Sequence, residues 1–105
     1  MKWNNYKSDI IGGIEKCVAE FNIYETQLIP YSKFKVKIFE RQNGKYIGYT
    51  DLQVKDSTGS SYCGVGFGNS IDEALEDTIN YFMEMLKEKD VIMESDFSYL
   101  DYTEF

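Results

Sequence analysis

The chain predicts an α+β domain of order αβββα, a three-stranded antiparallel sheet with two helices on one face. Lys33-Phe34-Lys35-Val36-Lys37-Ile38 alternates strictly between charged and apolar side chains, as a half-buried strand must. Asn43-Gly44 follows it as the strongest short hairpin signal, read as a tight turn with positive φ at both central residues. Ser70-Ile71-Asp72-Glu73 is a capping box, with Ser at the cap and Glu at the third helical position.

The first element is read as a helix capped by Ser8 or Asp9, because Ile10, Ile14, Cys17, Val18 and Phe21 recur at spacings of three and four. Gly12 and Gly13 weaken it by about 1 kcal/mol each relative to Ala, so it depends on packing. Residues 22–32 contain Pro30 and read as a loop. Strands are expected at 33–38, 45–55 and 62–67, the last alternating Cys63, Val65 and Phe67 with Gly64, Gly66 and Gly68. The helix from Ser70 to Lys89 has an inward stripe of Ile71, Ala74, Leu75, Thr78, Phe82 and Met85/Leu86. Both helices are expected on the same face of the sheet, with Phe34, Val36, Ile38, Val65, Phe67, Leu75 and Phe82 in one core. The other face carries Lys33, Lys35, Lys37, Tyr49 and Lys55. Residues 1–90 then form one domain, and residues 91–105 an acidic, aromatic C-terminal tail.

At 105 residues there is room for one core. Aromatic residues make up 16% of the chain, with nine Tyr and seven Phe, an excess that suits either a Tyr-rich sheet or a binding surface. No apolar run approaches the roughly 18 residues of a membrane span, and Met1-Lys2-Trp3-Asn4-Asn5 lacks the apolar stretch of a signal peptide. The expectation is a cytoplasmic protein with no membrane partner, its Cys17 and Cys63 being buried thiols. Charge is distributed unevenly. Residues 1–70 hold nine Lys/Arg and seven Asp/Glu, a net of +2, whereas residues 71–105 hold two Lys and eleven Asp/Glu, a net of −9. Such asymmetry speaks to partners and not to fold.

The order αβββα, with the junction Gly64-Val65-Gly66-Phe67-Gly68-Asn69-Ser70-Ile71-Asp72-Glu73-Ala74-Leu75, resembles double-stranded-RNA-binding domains. The glycines, Ser70 and Ala74 match the family's pattern over about a fifth of the chain. The phosphate-gripping lysines of that family fall here on Ile71, Asp72 and Leu75. The resemblance therefore implies the fold and argues against the function, because a helix bearing Asp72, Glu73, Glu76 and Asp77 repels an RNA backbone. In general style the chain also resembles small acidic phage anti-defence proteins, anti-CRISPR proteins among them, some of which are nucleic-acid mimics.

Catalytic chemistry finds no candidate residues. Without histidine there is no Ser–His or Cys–His nucleophile. Neither a zinc cluster nor a calcium loop is present. Gly64-x-Gly66-x-Gly68 ahead of a helix suggests a phosphate cradle, but no Lys-Ser/Thr follows, and Asp72 and Glu73 already occupy the helix N-terminus. Those glycines read instead as places where a helix packs close to a strand. Asp51 as a lone general base is outweighed by its reading as a solvated strand residue. No enzyme, metal or cofactor is expected.

The remaining signal is charge. Glu73, Asp77, Glu84 and Glu88 fall within about 60° on one helix face, and the four-residue spacing within Glu73/Asp77 and Glu84/Glu88 is roughly 6 Å along the axis, comparable to phosphates along a strand. Like charges at this spacing cost a few tenths of a kcal/mol per pair, and Glu84 and Glu88 oppose the helix dipole. The candidate partner-binding residues are therefore Asp72, Glu73, Glu76, Asp77, Glu84 and Glu88 on the helix. Glu94, Asp96, Phe97, Tyr99, Asp101, Tyr102 and Glu104 join them in the tail. Aromatic residues in the tail either dock on the domain or order on a partner. Like-charge repulsion beside the acidic helix favours the partner. The expected function is that of a small acidic inhibitor, a DNA mimic of the anti-CRISPR type, occupying the nucleic-acid site of a basic nuclease or similar effector in a host bacterial cytoplasm. Two alternatives stand beside it: a nucleic-acid-binding domain using Lys33, Lys35 and Lys37, and a non-enzymatic adaptor or homodimer.

Overall fold

The computed structural model describes residues 2–89, 93–101, 103 and 105. It is α+β, as expected, but its elements among the described residues are five strands and one α-helix. The strands are β1 (Glu15–Tyr24), β2 (Lys33–Arg41), β3 (Tyr46–Lys55), β4 (Ser61–Gly68) and β5 (Phe97–Tyr99), and α1 spans Ile71–Lys87. Strands β1 to β4 form an antiparallel meander in sequence order, and β5 also pairs with β3.

The expected first helix is the strand β1, which changes αβββα to ββββαβ. Within it a second periodicity wins. Ala19, Phe21 and Ile23 alternate with Glu20, Asn22 and Tyr24, and they lie opposite Ile38, Val36 and Phe34 of β2. Pairing buries this alternate set against an existing apolar face, whereas a helix would bear the cost of Gly12-Gly13. Val18 is the extra residue of a bulge between Cys17 and Ala19. Ile10, placed in the core by the helical spacing, is 93% exposed.

Both later hairpins use one kind of turn. Gly44 N–H donates to Arg41 O at 3.0 Å with φ +82°, and Gly59 N–H donates to Asp56 O at 3.1 Å with φ +87°. These are three-residue loops ending in one left-handed glycine; Asn43 keeps a negative φ, unlike the two-residue turn expected there.

Alternation in β2 is as read: Phe34, Val36 and Ile38 are buried, with the lysines on the opposite face. In β4 the assignment of faces reverses. Gly64, Gly66 and Gly68 face α1, while Val65 and Phe67 lie on the far face, where Phe67 is 56% exposed. A Cβ on Gly66 would stand 2.2 Å from Thr78 N, and one on Gly68 2.6 Å from Ala74 N. The helix thus rests on the strand backbone. Ala74, Thr78, Phe82 and Leu86 form its buried stripe, while Ile71, Leu75 and Met85 are partly buried against the core. Core residues from the sheet are Phe34, Val36, Ile38, Leu52 and Val54, with Ile29 from the loop before β2.

Phe97 completes that core at 6% exposure, so the segment assigned to a tail contributes to the domain. Gln53 pairs with Cys63 on one side and Ser98 on the other. Strand β5 therefore lies on the β2 side of β3, beyond the point where β2 pairing ends at Thr50.

Candidate interaction surface

The six helix carboxylates, Asp72, Glu73, Glu76, Asp77, Glu84 and Glu88, are all exposed. Helical periodicity puts Glu73, Asp77, Glu84 and Glu88 on one flank, beside the outer edge of β4. Two of them serve the fold. Glu73 N–H donates to Ser70 Oγ at 3.1 Å, the Ser70 half of the expected capping box, whereas the Glu73 carboxylate accepts Asn69 N–H at 2.7 Å, one residue ahead of the cap, in place of Ser70 N–H. Asp77 reaches across to β4 and accepts Phe67 N–H at 2.8 Å. Among the described residues no salt bridge neutralises any of the six.

Tail residues are divided by the structure. Glu94 and Asp96 lie in a 3-10 turn, where Asp96 accepts Met93 N–H at 3.0 Å. Phe97 is in the core, with no surface left for a partner. Tyr99 is 43% exposed; its ring lies 5.2 Å from that of Tyr31 and its hydroxyl donates to Lys33 O. Burial, with the Asp51 and Tyr31 charges, pushes the Tyr99 hydroxyl above its ordinary pKa. Asp101 is exposed and accepts from Thr103. Tyr102 and Glu104 lie outside the described residues.

On the far face of the sheet the lysines are not a free row. Glu20 of β1 stands between Lys35 and Lys37, 3.8 and 3.9 Å from their ammonium groups. The Lys37 ammonium also sits 4.6 Å from the centre of the Phe105 ring. That ring closes a small apolar pocket with Phe39, Tyr49, Cys63 and Leu100. Phe39 and Tyr49 meet edge to face at 5.9 Å. Cys63 is half-buried, and burial raises its thiol pKa, which makes it a poor nucleophile. Cys17, expected to be buried, is exposed.

Asp51, expected to be a solvated strand residue, is instead half-buried where β2 and β5 both leave β3. Its carboxylate accepts Lys35 N–H at 2.7 Å, and its carbonyl accepts Leu100 N–H at 2.8 Å. Burial raises its pKa and outweighs the backbone hydrogen bonds and the Lys35 charge. A carboxylate used to join strands in this way has a structural task.

Glu25 belongs to no motif in the sequence. Its carboxylate accepts Gln27, Leu28 and Ile29 N–H at 2.8–3.1 Å and organises the loop that seats Ile29 in the core. Local side-chain-to-amide bonds of this kind are characteristic of Ser, Thr, Asn and Asp; the longer Glu25 makes them here, and no pattern in the sequence signals it.

Among the described residues no group of His, Cys, Asp or Glu is arranged to hold a metal ion, and no helix is long and apolar enough to cross a membrane. No family model, curated protein or solved structure matches this chain.

Proposed function

We propose that this chain is a small acidic binding protein that occupies the nucleic-acid site of a basic effector, in the manner of a phage or mobile-element inhibitor. The observation that carries this reading is the exposed, unneutralised flank of α1. Glu73 and Asp77 have backbone partners and Asp72 suits the positive end of the helix dipole, so folding accounts for those three. It does not account for Glu76, Glu84 and Glu88: among the described residues their carboxylates accept no hydrogen bond, Glu84 and Glu88 repel one another across one turn, and Glu76 stands four residues from Asp72. Glu84 and Glu88 also stand at the negative end of the dipole, where Lys87 and Lys89, with Lys55 across the pocket beside Glu88, offset them without forming a salt bridge among the described residues. Selection by a basic partner explains their retention. The Glu20 carboxylate between Lys35 and Lys37 further weighs against the sheet face as a phosphate platform.

Carboxylates about one helical turn apart, roughly 6 Å, offer an arginine- or lysine-lined groove what a phosphate strand offers it. Association steered by such a field is fast and falls steeply with salt. The test is competition. Labelled duplex DNA is bound to a basic nuclease, and this chain is added at several salt concentrations. Release of the DNA at low salt, lost when Glu76, Glu84 and Glu88 are changed to Lys, is the expected result. Submicromolar binding of DNA or RNA by the chain itself, abolished by changing Lys33, Lys35 and Lys37 to Glu, would replace this reading with that of a nucleic-acid-binding domain.

A further inference from the structure

The edges that β1 and β4 give the four-stranded meander are guarded unequally. A free edge is a row of unpaired N–H and C=O groups, and proteins protect it with charges, proline or a bulge. β1 has such protection in Glu15, Lys16 and Glu20 and in the bulge at Val18. β4 has neither charge nor proline in Ser61–Gly68, the extra residues of the irregularity in its ladder lie on β3, and it has no neighbour on its outer side among the described residues. Its one covering group is borrowed from the helix, the Asp77 carboxylate on Phe67 N–H. Because that N–H points outward, alternation along the strand points Val65 N–H outward as well.

We propose that the β4 edge receives an extended, Lys/Arg-rich segment of the partner protein as a further antiparallel strand. The inference rests on the reading of α1 as a basic-partner surface and specifies how that partner is held. Main-chain hydrogen bonds to β4 supply affinity, and alternate side chains of the added strand supply specificity. The side chains on the helix side of the added strand enter a groove lined by Asn69, Glu73, Glu76 and Asp77. Those on the other side meet Phe67, whose ring already has the Arg41 guanidinium 5.7 Å from its centre. Arrival of the strand replaces the Asp77 bond to Phe67 and frees that carboxylate for a cation. Charge excludes a second copy of this chain as the occupant. Antiparallel β4–β4 pairing about a two-fold axis puts both helices on the same face, acidic flank against acidic flank.

Titration of the full chain with a short alternating Lys–Thr peptide, beside an alternating Glu–Thr control, tests this. Val65→Pro removes one outward N–H without changing charge, a substitution that edge strands tolerate. The expected results are a loss of at least about tenfold in Lys–Thr affinity in Val65→Pro, a similar loss in Glu76→Lys/Glu84→Lys, and slowed exchange of the Val65 amide in the wild-type complex. The amide measurement decides the matter even if the proline variant fails to fold. If charge reversal weakens binding while the Val65 amide is unaffected, edge pairing is wrong and the basic-partner reading survives. If the Glu–Thr peptide binds as tightly as the Lys–Thr peptide, both are wrong. A dimer that Val65→Pro converts to monomer would mean that a second copy takes the edge, and the proposal falls.

Discussion

The Thr50 hydroxyl bridges a gap in the sheet, accepting Gly64 N–H at 2.7 Å and donating to Leu52 O at 2.8 Å. Pairing between β3 and β4 runs from Tyr46↔Gly68 to Tyr49↔Val65 and resumes at Gln53↔Cys63, so residues 50–52 of β3 face only Gly64. The side chain does what the interrupted ladder cannot. Thr50 is fully buried, and water has no access to replace it. Thr50→Val keeps the shape but leaves Gly64 N–H unsatisfied, at a cost of about 1–3 kcal/mol. Urea unfolding measures the loss; an unchanged midpoint would mean that the ladder closes without the hydroxyl.

Close packing of α1 gives a second expectation, in which two glycines behave differently. At Gly66 an added Cβ meets Thr78 backbone atoms at 2.2 and 2.6 Å, so the helix must move. At Gly48 it meets side chains, Thr78 Oγ1 at 2.3 Å and Ile38 Cδ1 at 2.8 Å. Gly66→Ala and Gly48→Ala should each cost about 1–3 kcal/mol or more through overpacking. Thr78→Ala should recover part of the cost at Gly48 and little at Gly66. A double-mutant cycle for each pair reads the coupling.

The same geometry explains which parts of the fold were legible. Strand β2, both later hairpins, α1 and its Ser70–Glu73 cap follow from local patterns, and each is present. The glycines of β4 mark close helix approach in sequence and structure alike. Alternation defines two faces without saying which one the helix covers, so it does not exclude Val65 and Phe67 from the helix side. Backbone room decided that, against side-chain size. β1 is hidden in the sequence because Ile10, Ile14, Cys17, Val18 and Phe21 satisfy helical spacing, whereas its strand pairing depends on β2, distant in sequence. β5 has three residues, too few to show a period. At the surface, the helix carboxylates were legible as exposed charge. The bond from the Phe67 amide to Asp77 is not, since it depends on how α1 lies over β4, and Glu73 takes the Asn69 amide where the local pattern points to that of Ser70.

The C-terminal segment yields a graded prediction. Phe97 is buried and β5 pairs with β3, whereas Phe105 lies on the far face beside Lys37. Phe97→Ala should cost about 3–5 kcal/mol, a large share of the roughly 5–15 kcal/mol that holds a domain together. Removing Phe105 alone should shift the melting temperature by far less. Equal effects from the two changes, or a negligible one from Phe97→Ala, would show the segment to be an appendage after all.

Two carboxylates should respond to pH with opposite signs. The Glu25 carboxyl is buried enough to oppose ionisation, but hydrogen bonds from Gln27, Ile29 and Leu28 amides prevail and hold its pKa below the ordinary value. A depressed pKa contributes stability that is present above the unfolded value, about 4.3, and lost as pH falls through the folded one. Asp51 is the reverse: burial raises its pKa, so its favourable contribution exists below the unfolded value of about 3.9 and is lost as pH rises through the folded one. At neutral pH, Glu25→Gln should therefore be less stable than wild type. Asp51→Asn, whose amide oxygen still accepts Lys35 N–H, should be at least as stable as wild type. Both differences should shrink on acidification below the ordinary carboxylate range, where the wild-type groups are protonated too. Urea midpoints for the three proteins, measured from neutral to acid, provide the comparison. A stability gap for Asp51→Asn that favours wild type at neutral pH and vanishes in acid would mean that the ionised Asp51 carboxylate stabilises the junction of β2, β3 and β5, and the assigned sign would be wrong.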